Sequence, residues 1–155
     1  MADLGACCLV GFDLVEMRRF EQALARHPRL LERVFTVAEI AYCQSRARPV
    51  RHFAARFCAK EAVGKLLGVG ITAWQEIEIT SGQGDAGGLV VAASKTGERP
   101  QVALRGRALE EARRAGIEQV SVSLSHTDCF AGACAVALLA AAEPPANDAS
   151  GSEIN

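Results

Sequence analysis

The sequence predicts an α+β fold in which an antiparallel sheet packs against a long central helix. Helical patterns fill the first part of the chain, whereas the alternating apolar and polar residues typical of strands fill the later part. Between them, Val50 to Leu67 forms one long apolar run that is interrupted by charged residues. The 155 residues are enough for one domain with its own core. We expect this domain to span residues 1–142, with a disordered tail over residues 143–155.

The first part of the chain is predicted to hold one strand and then several helices. Ala6–Val15 is short and apolar, as a strand would be, and Gly11 would let another backbone come close to it. Glu16–Arg26 has the apolar spacing of an amphipathic helix, and Pro28 ends that helix. A capping box that begins at Thr36 predicts the start of a further helix.

Turn signals place the central helix and the elements after it. The helix is expected to begin near Val50 and to end at Gly68. The later segments are strands at Trp74–Thr80, Leu89–Ala93 and Gln101–Leu104, a helix at Gly106–Ala115, and strands at Val120–Leu124 and Phe130–Leu139. The last of these is apolar enough for a buried helix, but its length and flanks favour a strand. Glu78 is expected to point away from the face that carries Ile77 and Ile79.

Composition and charge exclude several classes of function. The formal net charge is -1, so no overall field attracts nucleic acid or an acidic membrane. The six cysteines show neither a C-x-x-C pair nor the spacing of a metal finger. No run approaches the roughly 20 apolar residues of a membrane span, and the apolar stretch near the N-terminus is too short for a signal peptide. We therefore expect a cytoplasmic protein with reduced cysteines.

The central helix carries charges on a side that also carries large aromatic residues. Phe53, Phe57, Glu61 and Lys65 follow one another at four-residue intervals, which places them along one side of a helix. The aromatic side chains favour burial, whereas the carboxylate and the ammonium resist it unless they are paired or bind something. One interpretation is an ordinary exposed pair between Glu61 and Lys65, and the other is a functional site.

Asp13 is the second notable carboxylate, because it interrupts an otherwise apolar strand. It is either a turn residue or a ligand. If Asp13 meets Glu61, the two carboxylates repel each other, and Mg²⁺ would relieve the repulsion while its other positions take water and substrate phosphate. A structural pair without metal is the alternative. The nearby arginines, which form either a solvated surface or an anion-binding rim, are Arg46, Arg48, Arg51 and Arg56.

Several motifs together resemble a known family. Gly11-Phe12-Asp13, followed after a long gap by F-C-A-K-E-A-V-G-K at Phe57–Lys65, resembles the signature of the 4'-phosphopantetheinyl transferases. The chain is more closely similar to the small, stand-alone members of that family. The further matching segments, in the family's order, are Asp13–Glu16 with Arg19, Phe35–Glu39, Gly68–Ile71 and Ser123–Thr127. The resemblance extends from about Gly11 to Leu138.

The resemblance implies the family's fold and its reaction, in which the 4'-phosphopantetheine arm of coenzyme A moves to a serine of apo acyl carrier protein in fatty acid biosynthesis. It implies Mg²⁺ as the cofactor, held by Asp13 and Glu61. The implied catalytic residues are Asp13, Glu61, Lys65 and His126, and the implied coenzyme A contacts are Arg56, Lys60, Lys65, Gly68, Gly70, Ser123 and His126. Arg19 is the implied contact for the carrier protein. Members of the subgroup form trimers with active sites between subunits, which implies a homotrimer here.

The motifs are also compatible with other functions and roles. One alternative is an enzyme that serves carrier proteins of polyketide or peptide synthesis. Another is a non-catalytic relative that binds a carrier protein or coenzyme A. His126 has an ordinary interpretation as a structural histidine, and Arg19 has one as part of a solvated helix face. Glu61 or a metal-bound water would serve as general base. Two segments depart from the family pattern, namely the longer glycine-containing stretch Ser81–Pro100 and the tail.

Overall fold

The computed structural model describes residues 8–68, 74–80, 89–90 and 99–140, and it confirms the predicted α+β class. Its elements are β1 (Cys8–Glu16), α1 (Met17–Arg26), α2 (Leu30–Val34), α3 (Val37–Gln44), α4 (Pro49–Leu66), a 3₁₀ turn (Trp74–Glu76), β2 (Ile77–Thr80), β3 (Leu89–Val90), β4 (Gln101–Leu104), α5 (Gly106–Arg114), β5 (Ile117–His126) and β6 (Phe130–Leu139). No helix in these ranges is long and apolar enough to cross a membrane. The predicted tail and most of the stretch Ser81–Pro100 lie outside the described residues.

Two antiparallel sheets, rather than one, organise the described residues. The first sheet has the strand order β1-β6-β5 and the second has the order β2-β4-β3. The central helix α4 packs on the first sheet, and the main core lies between this helix and that sheet. The inward positions of β6 in this core are Ala133, Ala135 and Ala137. Because these side chains are small, the helix and the sheet pack closely, and β1 and β5 place their inward residues beside α4.

Local sequence signals predicted most element boundaries correctly. The capping box at α3 is present, since Thr36 Oγ1 accepts a hydrogen bond from the Glu39 N–H at 3.2 Å and the Glu39 carboxylate accepts one from the Thr36 N–H at 2.9 Å. Helix α4 has Pro49 in its first turn, and it ends before Gly68, whose φ of 68° favours glycine. The segment Phe130–Leu139 is a strand, as its flanks indicated.

The prediction of a strand over the whole segment Trp74–Thr80 is wrong at its start. Its first three residues form the 3₁₀ turn, so β2 begins only at Ile77. Glu78 alternates with Ile77 and Ile79 along β2, but it too is buried, at 7% exposed. Its carboxylate accepts hydrogen bonds from the Arg105 guanidinium at 2.5 Å and from the Thr36 hydroxyl at 3.3 Å. These partners offset the cost of burying the charge.

Gly11 sets the distance between β1 and α4. A Cβ atom placed on it would overlap the carbonyl oxygen of Ala62 and would lie 3.1 Å from Cβ of Leu66. We therefore expect Gly11→Ala to force the strand and the helix apart and to lower the free energy of unfolding, measured in urea, by about 3 kcal/mol. Gly132→Ala on β6 is the control, because a Cβ there would lie 3.1 Å from the flexible end of Leu14 and 3.3 Å from the Asp13 carbonyl oxygen, without overlap. Equal losses in the two variants would contradict the prediction.

Candidate active site

Asp13 and Lys65 meet where β1 lies against the C-terminal half of α4. The Lys65 ammonium lies 2.8 Å from Asp13 Oδ1 and 3.1 Å from the carbonyl oxygen of Phe12. The Lys65 side chain is 53% exposed, whereas that of Asp13 is 16% exposed. The hydrogen bond to Asp13 raises the pKa of Lys65, so the lysine is a cation that also remains accessible to a ligand.

Glu61 completes a pair of carboxylates one helical turn before Lys65. Burial raises the pKa of Glu61, the charge of Asp13 raises it further, and the charge of Lys65 lowers it. The two carboxylates are therefore close enough to repel each other and are only partly neutralised. The described residues contain no group of three or more His, Cys, Asp or Glu side chains that could hold a metal ion. The pair fits Mg²⁺, because this ion takes one or two protein carboxylates and fills its other positions with water and phosphate oxygens.

Cys58 is a neighbour of this pair that the sequence did not single out. It is fully buried on α4, and its thiol donates a hydrogen bond to the carbonyl oxygen of Ala131 at 3.4 Å. Burial, followed by a hydrogen bond with Asp13, raises the pKa of Cys58 to about 12. The thiol is therefore neutral and adds no charge beside the carboxylates. In the sequence, Cys58 was recognisable only as a small residue within an apolar run.

A second cluster, which we call the cationic pocket, lies beside the N-terminal half of α4. It is a cavity of about 200 Å³ lined by Tyr42, His52, Ala55, Arg56, Pro100, Leu124 and His126. Arg56 is only 5% exposed, and its Nε has no hydrogen-bond partner among the described residues. Its guanidinium lies 3.9 Å from the centre of the Tyr42 ring. This buried arginine has a donor without a partner among the described residues, and the described residues that line the cavity include no carboxylate, which favours an anionic ligand.

The arginine patch predicted from the sequence is divided between two places. Arg46 lies over the Tyr42 ring, at 4.2 Å from its centre, close to the cationic pocket. Arg51 pairs with Asp128, and Arg48 lies 3.4 Å from the same carboxylate. These two arginines tie the start of α4 to the turn after β5. Arg56 is the member of the patch that lines the cationic pocket.

Lys60 is not accessible to a ligand, so its predicted contact with coenzyme A is wrong. The side chain is fully buried, and its ammonium lies 2.7 Å from Glu39 Oε2 and 3.1 Å from the Trp74 carbonyl oxygen. The Glu39 carboxylate also accepts a hydrogen bond from the Ile79 backbone N–H at 3.0 Å. Successive residues of a helix differ by about 100° in direction, so Lys60 and Glu61 leave α4 on different faces. Lys60 faces the core and joins α4 to α3.

Of the other predicted site residues, Ser123 and His126 lie on β5, which β6 separates from the strand of Asp13. Ser123 alternates with the inward residues of β5 and therefore lies on the outer face of the first sheet, whereas His126 reaches His52 on α4. Gly68 follows α4 and is exposed, and Gly70 lies outside the described residues. Arg19 is exposed on α1. Within one chain the structure thus joins Asp13 to Lys65 and Glu61, and Arg56 to His126, as two separate clusters.

A third feature, which we call the arginine-rimmed cavity, had no signal in the sequence. It measures about 620 Å³ and is lined by Arg26, His27, Pro28, Arg29, Leu30, Arg33, Val34, Phe57 and Trp74. Its two aromatic residues stack on each other, with ring centres 5.1 Å apart. An apolar floor with three arginines, and with no carboxylate among the described lining residues, suits a partner that is acidic and presents an apolar side chain.

Comparison with known proteins now defines the class. Residues 9–117 match the model of the 4'-phosphopantetheinyl transferase superfamily, and the chain belongs to this superfamily. Within it, the chain is a member of the holo-[acyl-carrier-protein] synthase family. It is 50% identical over 131 residues to the holo-[acyl-carrier-protein] synthase of Moorella thermoacetica. The matched stretch covers 83% of this chain and 91% of that relative. The family expected from the motifs is confirmed.

Solved structures share the fold. The holo-[acyl-carrier-protein] synthase of Helicobacter pylori in complex with coenzyme A has a TM-score of 0.63 and 27% identity, over 83% of this chain and 99% of that chain. The holo-(acyl-carrier-protein) synthase of Bacillus anthracis in complex with CoA (3',5'-ADP) has a TM-score of 0.62 and 26% identity, over 87% of this chain and 100% of that chain.

Proposed function

We propose that the chain transfers the 4'-phosphopantetheine arm of coenzyme A to a serine of apo acyl carrier protein, in fatty acid biosynthesis. The observation that carries this proposal is the meeting of Asp13, Glu61 and Lys65 in a chain half identical to a holo-[acyl-carrier-protein] synthase. In the reaction the serine oxygen forms a bond to one phosphorus of the diphosphate and gives up its proton. The bond between that phosphorus and the bridging oxygen breaks, and adenosine 3',5'-bisphosphate leaves.

The carboxylate pair suits the reacting diphosphate. Asp13 and Glu61 would hold Mg²⁺, which supplies positive charge for the diphosphate oxygens. Lys65 is a half-exposed cation and is placed to bind a phosphate oxygen and to stabilise the negative charge of the leaving bisphosphate. Glu61 would be a candidate to accept the serine proton, as the sequence led us to expect.

The two cavities suit the two substrates. In the cationic pocket, Arg56 and His126 offer donors to a phosphate of coenzyme A. Arg19 on α1 and the arginines of the arginine-rimmed cavity are exposed positive charges that would attract an acidic carrier protein. The apolar floor of that cavity would receive an apolar side chain of the carrier protein.

We also propose that the chain forms a homotrimer in the cytoplasm. The outer face of the first sheet exposes several large apolar side chains, namely Val10, Phe12, Leu14, Phe130 and Leu138. A groove of about 350 Å³ on this face is lined in part by Phe12 and Ser123. Such a patch favours association with further copies of the chain, which would place Ser123 beside a neighbouring subunit. The free cysteines of the described residues support a reducing compartment.

Phe12→Lys is expected to convert the trimer to monomers, because a charge would replace a large apolar side chain at the proposed interface. Sedimentation velocity should show a mass three times 16.4 kDa for the wild type and a single chain mass for the variant. Val37→Lys, at an exposed apolar residue of α3, is the matched control and should stay trimeric. A monomeric wild-type protein would contradict the proposed assembly.

Intact mass spectrometry tests the activity itself. Apo acyl carrier protein is mixed with the protein, coenzyme A and Mg²⁺, and a parallel sample contains EDTA. We expect the carrier protein to gain the mass of phosphopantetheine, and EDTA to abolish the gain. Carrier proteins of fatty acid, polyketide and peptide synthesis are compared, and a faster reaction with either of the last two would replace fatty acid biosynthesis as the assigned role. No mass gain with any of them, from a folded protein that binds coenzyme A, would indicate a non-catalytic relative.

A further inference from the structure

His52 is a residue of the cationic pocket to which neither the sequence motifs nor the proposed reaction assigns a role. It lies on α4 one helical turn before Arg56, so the two side chains leave the helix on the same side. The ring centres of His52 and His126 are 5.4 Å apart, and the rings meet edge to face at 77°. The centre of the Tyr42 ring, on α3, lies 6.2 Å from the centre of the His52 ring. His52 thus lies where α3, α4 and the end of β5 converge.

The charged groups that face His52 from the surrounding described elements carry no negative charge. They are Arg46 after α3, Arg56 on α4 and His126 at the end of β5. Asp128, an acid just after β5, is paired with two arginines at the start of α4. Burial, followed by the charges of these three groups, lowers the pKa of His52 from its ordinary value of 6.5. His52 is therefore neutral at neutral pH, until an anion enters the pocket.

Coenzyme A carries two kinds of phosphate, and they differ in charge. Its diphosphate is the group that reacts, and the carboxylate pair with Lys65 suits that part. Its 3'-phosphate is a monoester that is close to a dianion at neutral pH, since such groups have a second pKa of about 6. A small cavity with a buried arginine and two histidines matches a compact dianion better than it matches an apolar or neutral group.

We propose that His52 is a specificity-determining residue that, with Arg56 and His126, contacts the phosphate monoester of coenzyme A and takes up a proton from solvent as that group binds. This inference rests on the proposed function. The dianion would give Arg56 Nε the acceptor that it lacks among the described residues, and it would stabilise the imidazolium form of His52. Since the proton is held in the complex and not in the free protein, affinity for coenzyme A should increase as the pH falls from the alkaline side towards the ordinary pKa of histidine.

Titration calorimetry in EDTA at neutral pH tests this proposal with two ligands, coenzyme A and dephospho-coenzyme A, which lacks the monoester. Each titration is run in two phosphate-free buffers that differ in ionisation enthalpy, so that proton uptake is measured together with affinity. The variant is His52→Gln, and His27→Gln at the arginine-rimmed cavity is the matched control. Thermal unfolding verifies that each variant is folded, and His52→Asn replaces His52→Gln if the latter is not.

His52→Gln is expected to bind coenzyme A about ten-fold more weakly than the wild type. This loss of affinity corresponds to the loss of one hydrogen bond to a charged group. It should take up fewer protons per coenzyme A bound and should bind dephospho-coenzyme A as the wild type does. His27→Gln should match the wild type with both ligands. Unchanged affinity and proton uptake in His52→Gln would overturn the proposal, and so would equal weakening of both ligands, which indicates only a packing role. Failure of the wild type to bind coenzyme A would instead overturn the proposed function.

Discussion

Glu61→Gln is expected to slow phosphopantetheine transfer by about 10²–10³-fold while the protein stays folded. Glutamine keeps the volume of the side chain but removes its charge, so Mg²⁺ would lose one of its two carboxylate ligands. The initial rate of mass gain on the carrier protein, at saturating coenzyme A, measures the effect. Glu118→Gln at an exposed position of β5 is the control and should react at the wild-type rate. Wild-type turnover by Glu61→Gln would overturn the assignment of the site.

The same variant is expected to change how stability depends on pH. Burial and the charge of Asp13 raise the pKa of Glu61 above its ordinary value of 4.5, so the folded state binds this proton more tightly than the unfolded state. The resulting stability is fully present below about pH 4.5 and is lost as the pH rises through the folded-state pKa. In EDTA, Glu61→Gln should therefore be at least as stable as the wild type at neutral pH, and the difference should vanish in acid. A variant that is less stable at neutral pH would contradict this sign.

Lys60→Met is expected to lower the free energy of unfolding by about 3–5 kcal/mol. Methionine is long and apolar enough to fill the space, but Glu39 would be left as a buried carboxylate without its cation. The Trp74 carbonyl oxygen would also lose its hydrogen-bond donor. Urea unfolding monitored by fluorescence of Trp74, the single tryptophan, measures the loss.

Lys65→Met provides the matched comparison, because it makes the same chemical change five residues later on the same helix. The ion pair of Lys65 with Asp13 is half exposed, and such pairs stabilise proteins by less than about 1 kcal/mol. Lys65→Met should therefore remain nearly as stable as the wild type and should lose transfer activity. If Lys60→Met kept wild-type stability, or if Lys65→Met unfolded, our division between a structural and a functional lysine would be wrong.

The sequence by itself determined the fold class, most of the elements and the residues of the carboxylate site. Periodicity, caps and breakers act within a few residues, so the capping box at Thr36 and the central helix could be predicted without any knowledge of the partners of those segments. Asp13 and Glu61 were detectable for a related reason, since a charge within an apolar run or beside buried aromatic residues needs a partner in any fold. The family motifs then supplied the order in which these residues occur.

Only the tertiary structure decided which charges face the core. Lys60 and Lys65 belong to one motif and look alike in the sequence, but α3 supplies Glu39 to the first, while β1 supplies Asp13 to the second. His52 likewise gained significance only when β5 placed His126 beside it. The physical reason is that helix geometry fixes the direction in which a side chain leaves, whereas the energy of a buried charge depends on partners that distant parts of the chain bring to it.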